Sequence, residues 1–498
     1  MKHFLSHPLV VLLLFLGAKA EAQVAVGSFA TRNKPDDFVY KVSAPDKPLK
    51  FFFQNDSEYE ILCLDTTWGS AKSFVYTPVD RKNRFTTSLE TENTLSLYFI
   101  NIKNGEFFVL SNNPDSSFTR RKLFQEENAE HFLKAVPVKD KICALSVDQQ
   151  TNDLYIRTYQ HSQLISKDIY RIEYPAFFAS LQADINLLNQ EPFSDIGITY
   201  IDDNIDQDLS DLYTDRKLYV RDDKLVITID ESNVSHLIFI DLSKKKSYYK
   251  KFNFKLELDA STLGSKGNSF LLKDYFFRVT CDGHQLNLAI VDFRNFSLVR
   301  NHNVYENKPI EIKNGPIISE ESTNGSVPSI SVVKSTEKYF KKMRGASLGV
   351  SARQLPDGSY ELMVGSHHSE TRASPMMGPS VGMGMGVGMG MGVGMGGFGG
   401  GYGMPGGMDP YYYPYGMGSR NYSVTIEKAY FHSILSGKEF AHIPQALENS
   451  YFDKKKLFWD KNFRSGRTPE IDVDFRWKGA MYYGFWDRKV NKFTVLKF

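Results

Sequence analysis

The residues of this sequence whose spacing points most directly to chemistry are methionines. The hexapeptide Val-Gly-Met-Gly-Met-Gly occurs twice in residues 381–392 and in altered form in residues 393–398. It places paired thioethers at Met383, Met385, Met389 and Met391. Thioether sulfur is a soft ligand that suits Cu(I), and the intervening glycines would allow several sulfur atoms to reach one ion. The repeat therefore predicts Cu(I) or Ag(I) binding as one role of this segment.

The same segment has a second interpretation as a tether or a contact surface. Residues 376–417 hold ten of the chain's 14 methionines and 17 of its 36 glycines, with Asp409 as their one charged residue. Methionine adapts its shape to many partners, and aromatic side chains are enriched in protein interfaces. The aromatic groups predicted to contact a partner are Tyr411, Tyr412, Tyr413 and Tyr415. We favour this contact role over metal binding.

An acidic stretch places oxygen ligands at alternate positions, namely Asp202, Asn204, Asp206 and Asp208. Carboxylate and amide oxygens at this spacing begin calcium-binding loops of the EF-hand type. The stretch has Gln207 where such a loop has glycine, and Tyr213 where it has its bidentate glutamate. Two interpretations follow, a solvated acidic loop, which we favour, and a Ca²⁺ site.

Local catalytic patterns are scarce. The string from Gly345 through Ser347 to Gly349 matches a nucleophile elbow, but the residues after it do not predict the helix which that motif requires. No metalloprotease, phosphate-binding or dinucleotide motif occurs, and no Cys/His spacing suits zinc. A hydrolase with acidic residues distant in sequence stays open as an alternative, because such carboxylates leave no local pattern. We predict no catalytic residue and no cofactor other than the two metals above.

The N-terminus predicts export. Lys2 precedes the apolar run Leu9–Leu16, which is followed by the small-residue pattern Ala18-Lys-Ala20. The apolar run is about half the ~20 residues that a membrane-spanning helix needs. We therefore expect residues 1–22 to be a signal peptide cleaved near residues 20–22, and a mature chain without a transmembrane span. Its expected location is the periplasm or the cell surface of a bacterium.

Charge and cysteine content exclude some partners and bonds. Sixty basic and 58 acidic residues leave a net charge near zero, which argues against nucleic acid as a partner. The runs Lys244–Lys246 and Lys454–Lys456 are interpreted as solvated faces. Three widely spaced cysteines do not make a disulfide framework, and we expect Cys63, Cys143 and Cys281 to be buried thiols.

A hairpin pattern recurs along the chain. An apolar strand ends in Asp, Asn or Ser, and a second apolar strand follows after a few turn residues. The side-chain oxygen of each of these residues accepts a hydrogen bond from the backbone N–H two residues later, and this turn starts the chain reversal. The first strands of the copies are residues 61–65, 97–101, 237–241, 288–292, 429–433 and 483–487, with a looser copy at 154–157. The acceptor residues are Asp65, Asn101, Asp241, Asp292, Ser433 and Asp487.

This strand-Asp-turn-strand pattern resembles the outer hairpins of β-propeller repeat proteins in general, without a motif of one family. The resemblance implies an all-β, propeller-like fold of about six to seven blades; tandem β-sandwich domains are the alternative. We expect a β-repeat region in residues 23–370, a low-complexity insertion in 371–420, and further repeats of the same domain in 421–498. Strands before and after the insertion should pair, so that the insertion is an enlarged hairpin loop.

Helices and long loops complete the prediction. Apolar residues at helical spacing predict short helices over Glu127–Val136 and Phe177–Gln190. The polar stretches 190–216 and 320–326 are predicted to be loops. Together these patterns indicate a non-enzymatic binding or scaffold protein of the cell envelope, with an envelope protein as its partner. The alternatives are the hydrolase and the Cu(I)/Ag(I)-handling protein described above.

Overall fold

The computed structural model describes residues 24–31, 38–43, 47–54, 58–65, 67–68, 71–77, 80, 82–92, 94–112, 118–127, 129–148, 150–174, 198–202, 205–253, 265–324, 326–373, 422–463, 469 and 471–498. The predicted signal peptide, the predicted helix Phe177–Gln190 and Asn204 lie outside these residues. So do the predicted copper ligands Met383, Met385, Met389 and Met391, and the predicted contact residues Tyr411, Tyr412, Tyr413 and Tyr415. These assignments stay predictions.

The described residues form seven β-sheets, here called blades. The N-terminal strand is β1 (Val24–Phe29). Blade 1 comprises β2 (Phe38–Lys41), β3 (Lys50–Gln54), β4 (Tyr59–Leu64) and β5 (Ala71–Tyr76). Blade 2 comprises β6 (Asn83–Glu90), β7 (Leu95–Asn101), β8 (Glu106–Asn112) and β9 (Phe118–Gln125). Blade 3 comprises β10 (Glu130–Val138), β11 (Lys141–Asp148), β12 (Asp153–Gln160) and β13 (Gln163–Arg171).

Blades 4 and 6 each contain one short helix, and a third helix precedes blade 7. Blade 4 comprises β14 (Thr199–Ile201), β15 (Arg216–Arg221), β16 (Lys224–Asp230), β17 (Val234–Asp241) and β18 (Lys246–Asn253), with the short helix α1 (Leu209–Leu212) before β15. Blade 5 comprises β19 (Lys266–Leu272), β20 (Tyr275–Cys281), β21 (Gln285–Asp292) and β22 (Ser297–Tyr305). Blade 6 comprises β23 (Ile317–Thr323), β24 (Ser329–Val333), β25 (Ser347–Gln354), β26 (Tyr360–Ala373) and β27 (Tyr422–Leu435), with α2 (Thr336–Met343) before β25. Helix α3 (Tyr451–Asn462) leads to blade 7, which comprises β28 (Asp472–Trp477), β29 (Ala480–Asp487), β30 (Lys492–Lys497) and β1.

The seven sheets are arranged as a β-propeller. Edge strands of adjacent blades contact each other, as β6 contacts β10, β19 contacts β25, and β28 contacts β2. The predicted propeller of six to seven blades is confirmed with seven blades, in place of tandem sandwiches. No helix in the described ranges is long and apolar enough to cross a membrane.

The recurring hairpin has the predicted turn chemistry. Backbone N–H groups of Thr67, Lys103, Arg294 and Lys489 donate to the carboxylate or amide oxygen two residues earlier, at 2.9–3.0 Å. Five of the six copies are antiparallel hairpins, and the looser copy is one as well. The copy at 429–433 is wrong, because Ser433 lies inside β27, which pairs with β26 and β23. The chain reverses only after Leu435, which forms an isolated bridge with His442.

Three predictions of local structure are wrong at least in part. The described residues of the predicted loop 190–216 include β14 and α1. Residues 130–136 of the predicted helix Glu127–Val136 belong to β10 instead, and their backbone pairs with β11 through a register shift at Phe132–Lys134. The predicted loop at 320–326 is largely strand, since β23 extends to Thr323 and pairs with β27 on one side and β24 on the other. All three cysteines are free, and Cys143 and Cys281 are buried as expected, whereas Cys63 is half-buried.

Apolar clusters fill the contacts between neighbouring blades. Separate clusters join blade 1 to blade 2, blade 2 to blade 3, and blade 3 to blade 4. A larger cluster joins blades 4, 5 and 6, and another joins blade 7 to blade 1. Sheets covered on both faces in this way must have apolar residues on both sides of each strand. Between blades 6 and 7 the contact has a different composition, described below.

Strand β1 closes the ring. It pairs with β30 from Val24↔Lys497 to Phe29↔Phe493, so residues from both ends of the chain form blade 7. Phe29 is buried in the cluster that joins blade 7 to blade 1. Closure of the ring therefore depends on an apolar contact that joins the first strand to the last.

We expect Phe29→Ala to lower the free energy of unfolding by about 3 kcal/mol, because it removes a buried aromatic ring and leaves a cavity. Val26→Ala is the matched control on the same strand, where the side chain is only partly buried, and we expect its effect to be below about 1 kcal/mol. Urea denaturation of the two variants measures the difference. A urea midpoint for Phe29→Ala equal to that of the wild type would show that the buried Phe29 side chain of β1 does not contribute to closure of the ring.

Candidate functional site

The contact between blades 6 and 7 is occupied by inserted chain and by charged side chains. We call this region the blade 6–7 seam and define it by residues 205–213, helix α3, and the faces of β25–β27 and β28–β29 that point toward them. On blade 6, Leu348, Val350 and Ala352 join the cluster shared with blade 5. The alternating residues Gly349, Ser351 and Arg353 point to the opposite face, into the seam.

Helix α3 covers the seam-facing side of blade 7. The Ser450 hydroxyl accepts from the Asp453 backbone N–H, and the Asp453 carboxylate accepts from the Ser450 N–H, which forms a capping box. Tyr451, Lys455 and Trp459 recur every four residues and form the buried face of the helix. This face packs on Met481, Tyr483 and Phe485 of β29. The Trp459 Nε1–H donates to the Tyr483 hydroxyl at 3.0 Å.

A buried lysine and two aspartates link α3 to β28. The Lys455 Nζ donates to both carboxylate oxygens of Asp474, at 2.8 and 2.7 Å, and lies 3.5 Å from Asp472 Oδ2. Burial would lower the pKa of Lys455, but the two carboxylates outweigh it and the pKa is raised. Burial raises the pKa of Asp472, and the negative charge of Asp474 adds to this effect. The Tyr451 hydroxyl also donates to Asp474.

A second ion pair links α3 to blade 6. Lys456 Nζ and the Tyr430 hydroxyl both donate to the carboxylate of Glu320, which is 3% exposed. Burial, together with the charge of Glu320, raises the pKa of Tyr430 far above its usual value. The prediction that Lys454–Lys456 is a solvated face is therefore wrong for Lys455 and Lys456, because both side chains are largely withdrawn from solvent and paired with carboxylates.

Residues 205–213 pack on the seam-facing side of blade 6. Leu209 is fully buried and packs with Met363 of β26 and Tyr430 of β27. A Cβ at Gly349 would lie 2.9 Å from Leu209 Cδ2, so glycine is what allows this close approach. Asp208 caps α1 by accepting from the Leu209 N–H at 2.7 Å.

The predicted calcium ligands Asp206 and Asp208 bind cationic side chains in this seam. Asp206 Oδ1 accepts from Arg476 Nη2 at 2.8 Å, and its Oδ2 lies 3.7 Å from Arg353 Nη1. Asp208 Oδ2 accepts from Lys428 Nζ at 2.6 Å. These contacts tie the segment to blade 6 and, through Arg476, to blade 7. Among the described residues no group of three or more His, Cys, Asp or Glu side chains could hold a metal ion. The Ca²⁺ site stays a prediction that includes Asn204.

A small cavity of about 30 Å³ lies in the seam, beside a triad of polar side chains. Glu361 accepts from Arg353 Nε and Nη2 at 2.9 and 2.6 Å, and from His432 Nδ1 at 2.9 Å. Burial would raise the pKa of Glu361, but these partners outweigh it and the pKa is lowered. The cavity is comparable in size to one water molecule. An ionised, fully bonded carboxylate beside so small a cavity fits a structural role better than substrate turnover.

Most of the seam could not be predicted from the sequence, because its charged residues are adjacent only in the fold. Asp472, Asp474 and Arg476 alternate with the apolar residues Val473, Phe475 and Trp477 along β28. That alternation was the available signal, since a strand of a propeller's interior should be apolar on both faces. Ser347 of the elbow-like string begins strand β25 and is followed by seven further strand residues, not by a helix.

The Gly/Met/Tyr segment, residues 376–417, lies in the chain between the two strands of a long hairpin of blade 6. Strands β26 and β27 pair without a register shift from Tyr360↔Leu435 to Ala373↔Tyr422. Strand β25 pairs with β26 only as far as His367, and β23 pairs with β27 only as far as Thr425. The end of the hairpin therefore extends past its neighbours as a two-stranded ribbon, and residues 374–421 connect its two strands. The predicted pairing of these flanking strands is confirmed.

No protein-family model and no curated protein matches this chain. Among solved structures, a prolyl endopeptidase is similar over 66% of this chain, at 12% identity and a TM-score of 0.32. The matched region spans only 39% of the length of that endopeptidase. The WD40 domain of SCAP from fission yeast is similar over 90% of this chain and 81% of its own length, at 8% identity and a TM-score of 0.30. The Dos1 propeller is similar over 69% and 81%, at 11% identity and a TM-score of 0.32. The functions of these proteins say nothing about this one.

We expect stability below neutral pH to depend on His367. Its ring stacks on Tyr213 with centroids 4.1 Å apart, and burial beside Lys428 lowers its pKa to about 4. The unfolded chain binds a proton at this histidine below about pH 6.5 and the folded chain does not until about pH 4, so stability is lost as the pH falls through this window. The loss should reach about 3 kcal/mol.

The variant His367→Phe keeps the stacked ring but removes the proton-binding site. We therefore expect its free energy of unfolding to fall less steeply than that of the wild type between pH 6.5 and pH 4, measured by urea denaturation. His368→Phe, at the exposed neighbouring position, should leave the pH dependence unchanged. Parallel curves for His367→Phe and the wild type would contradict the assignment.

We expect the Asp208–Lys428 pair to stabilise the inserted segment. Both side chains are about 15% exposed, so Lys428→Met should cost about 2 kcal/mol, between the values for exposed and fully buried pairs. The double variant Asp208→Asn/Lys428→Met should recover part of this loss, because it leaves no uncompensated charge and keeps the helix cap. Lys341→Met, which breaks the exposed pair with Glu337, is the control and should cost below about 0.5 kcal/mol. Thermal denaturation that shows no recovery in the double variant would contradict the pairing.

Proposed function

We propose that this protein is a non-enzymatic binding scaffold of the cell envelope that presents residues 374–421 to a protein partner. The observation that carries the proposal is the uninterrupted pairing of β26 with β27 up to Ala373↔Tyr422. It makes the Gly/Met/Tyr segment an insertion at the tip of one hairpin, beyond the strands that flank it. Export to the periplasm or cell surface is part of the proposal and rests on the N-terminal sequence.

The anchoring of this hairpin supports a presenting role. Helix α2 packs across it, since the Tyr339 hydroxyl donates to the Val364 carbonyl at 3.1 Å and Lys342 pairs with Glu427. Beside the projecting end, the Val424 N–H donates to Asn324 Oδ1 and the Asn324 N–H donates to the Val424 carbonyl, both at 2.8 Å. A rigid base below a variable or functional loop is the usual arrangement of binding sites on β scaffolds.

The charge pairing of the seam favours scaffolding over hydrolysis. A glycosidase-like reaction needs two carboxylic groups facing a substrate, one of them able to supply a proton. In the seam, Glu320, Glu361 and Asp474 each accept from a lysine or an arginine. Their arrangement in a closed network with little free volume supports a structural use of these carboxylates.

The proposal is tested by capture of partners from an envelope extract. We expect the full-length protein to retain an envelope protein that is lost when residues 376–417 are replaced by a short Gly-Ser linker. A variant with Tyr411, Tyr412, Tyr413 and Tyr415 changed to Ser distinguishes aromatic contact from the methionine repeat. An unchanged set of partners after the replacement would overturn the presenting role.

The metal-binding alternative is tested with the same proteins. Titration with Cu(I) should give equal uptake by the full-length and the linker-replaced protein if the segment serves contact alone. Uptake that is lost with the segment would support the Cu(I) or Ag(I) role of Met383, Met385, Met389 and Met391 instead.

A further inference from the structure

The outermost strands of the blades differ strongly in charge. Strands β9, β13 and β18, the outer strands of blades 2, 3 and 4, carry eight basic residues and one acidic residue. The outer strands of blades 6 and 7, β24 and β1, carry no charged residue. The chain as a whole is nearly neutral, with 60 basic and 58 acidic residues. The basic residues of the outer strands are therefore concentrated on one part of the rim.

The rims of blades 3 and 4 form one continuous surface. Lys245 Nζ lies 2.7 Å from Asp168 Oδ1 of β13, and the Ser247 hydroxyl of β18 donates to the Arg171 carbonyl at 3.1 Å. We call residues 163–173 and 241–253 the basic rim. It holds seven lysines and arginines against three acidic residues. Two of the three acids are compensated within the rim, Asp168 by Lys245 and Asp241 by Lys244.

Large apolar side chains are exposed among these cations. Leu164, Ile165 and Ile169 of β13 are 50%, 48% and 60% exposed, and Tyr248 of β18 is 52% exposed. Lys167 and Arg171 alternate with Ile165 and Ile169 along one face of β13, and Lys246 lies on the face of β18 that carries Tyr248. These three cations and Lys251 are exposed. An isolated exposed leucine is ordinary, whereas several exposed aliphatic residues within one strongly charged surface indicate a binding face.

We propose that the basic rim binds the surface of an anionic lipid bilayer. Cations near such a surface are attracted by the negative headgroups, and adjacent apolar side chains gain by insertion at the boundary between headgroups and acyl chains. A soluble polyanion would use the cations but would give the exposed Leu164, Ile165 and Ile169 no apolar contact. The combination therefore favours a bilayer, and this inference does not depend on what residues 374–421 bind.

The test is co-sedimentation of the full chain with lipid vesicles. We expect binding to vesicles of phosphatidylcholine with about 30 mol% phosphatidylglycerol, little binding to phosphatidylcholine alone, and weaker binding at high salt. Lys246→Gln/Lys251→Gln should weaken binding about thirtyfold, through the loss of two cations near the surface. Ile165→Ser/Ile169→Ser should also weaken binding, because it removes the inserting side chains while all cations remain.

Matched controls come from blade 6. Lys334→Gln/Lys338→Gln removes two exposed cations, and Ile330→Ser/Val332→Ser removes two side chains that are 55% and 58% exposed. Both control variants should bind vesicles as the wild type does, and thermal denaturation checks that all four variants are folded. Equal binding to both vesicle types, or equal weakening by the controls, would overturn the proposal. So would wild-type binding by Ile165→Ser/Ile169→Ser together with displacement by soluble polyphosphate, which would assign the rim to soluble polyanions.

Discussion

The structure depends on one requirement, that both faces of every blade be covered when seven sheets close into a ring. Six of the seven contacts between blades meet this requirement with an apolar cluster. At the contact of blades 4 and 5 the cluster is joined by Asp230, which is buried with Arg278 and Lys217 as its cationic partners. The seventh, between blades 6 and 7, meets it with inserted chain, namely residues 205–213 and helix α3. Leu209 of the inserted chain packs on blade 6, and Tyr451 and Trp459 of α3 pack on blade 7. The charged side chains lie between these two apolar contacts.

Burial of so many charges is sustained by their pairing. An isolated buried carboxylate or ammonium would be very costly, and pairing together with hydrogen bonding offsets that cost. Glu320, Glu361 and Asp474 each have a cationic partner, and two of them also accept from a tyrosine hydroxyl. Such a network adds little net stability compared with an apolar core, but a shift of an inserted segment would leave a buried charge without its partner, which is costly. The seam thus fixes how α3 and residues 205–213 lie relative to blade 6, the blade that carries the long hairpin.

Much of the fold was predictable because its signals are local. The Asx turn at Asp65, Asn101, Asp292 and Asp487 depends on residues two positions apart, and strand alternation depends on neighbours along one strand. The errors have the opposite origin. Glu127–Val136 has helical spacing of apolar residues, but pairing with β11 overrides that preference. The pairing of β27 with β23, about a hundred residues earlier in the chain, leaves no trace near Ser433. The seam was hidden for the same reason, since Asp206, Arg353 and Arg476 meet only in the folded ring.

The pairing of β1 with β30 also constrains when folding can finish. Blade 7 receives its outer strand from the first described residues and its other three strands from the last, so that Val24 lies beside Lys497. Contacts between such distant residues form late, because the loop between them must close first. During synthesis, blades 1 to 6 have all their strands before the C-terminal residues emerge, while the ring remains open at blade 7. A chain that is shortened at its C-terminus would therefore retain most of its blades and lose the apolar contact that joins blade 7 to blade 1.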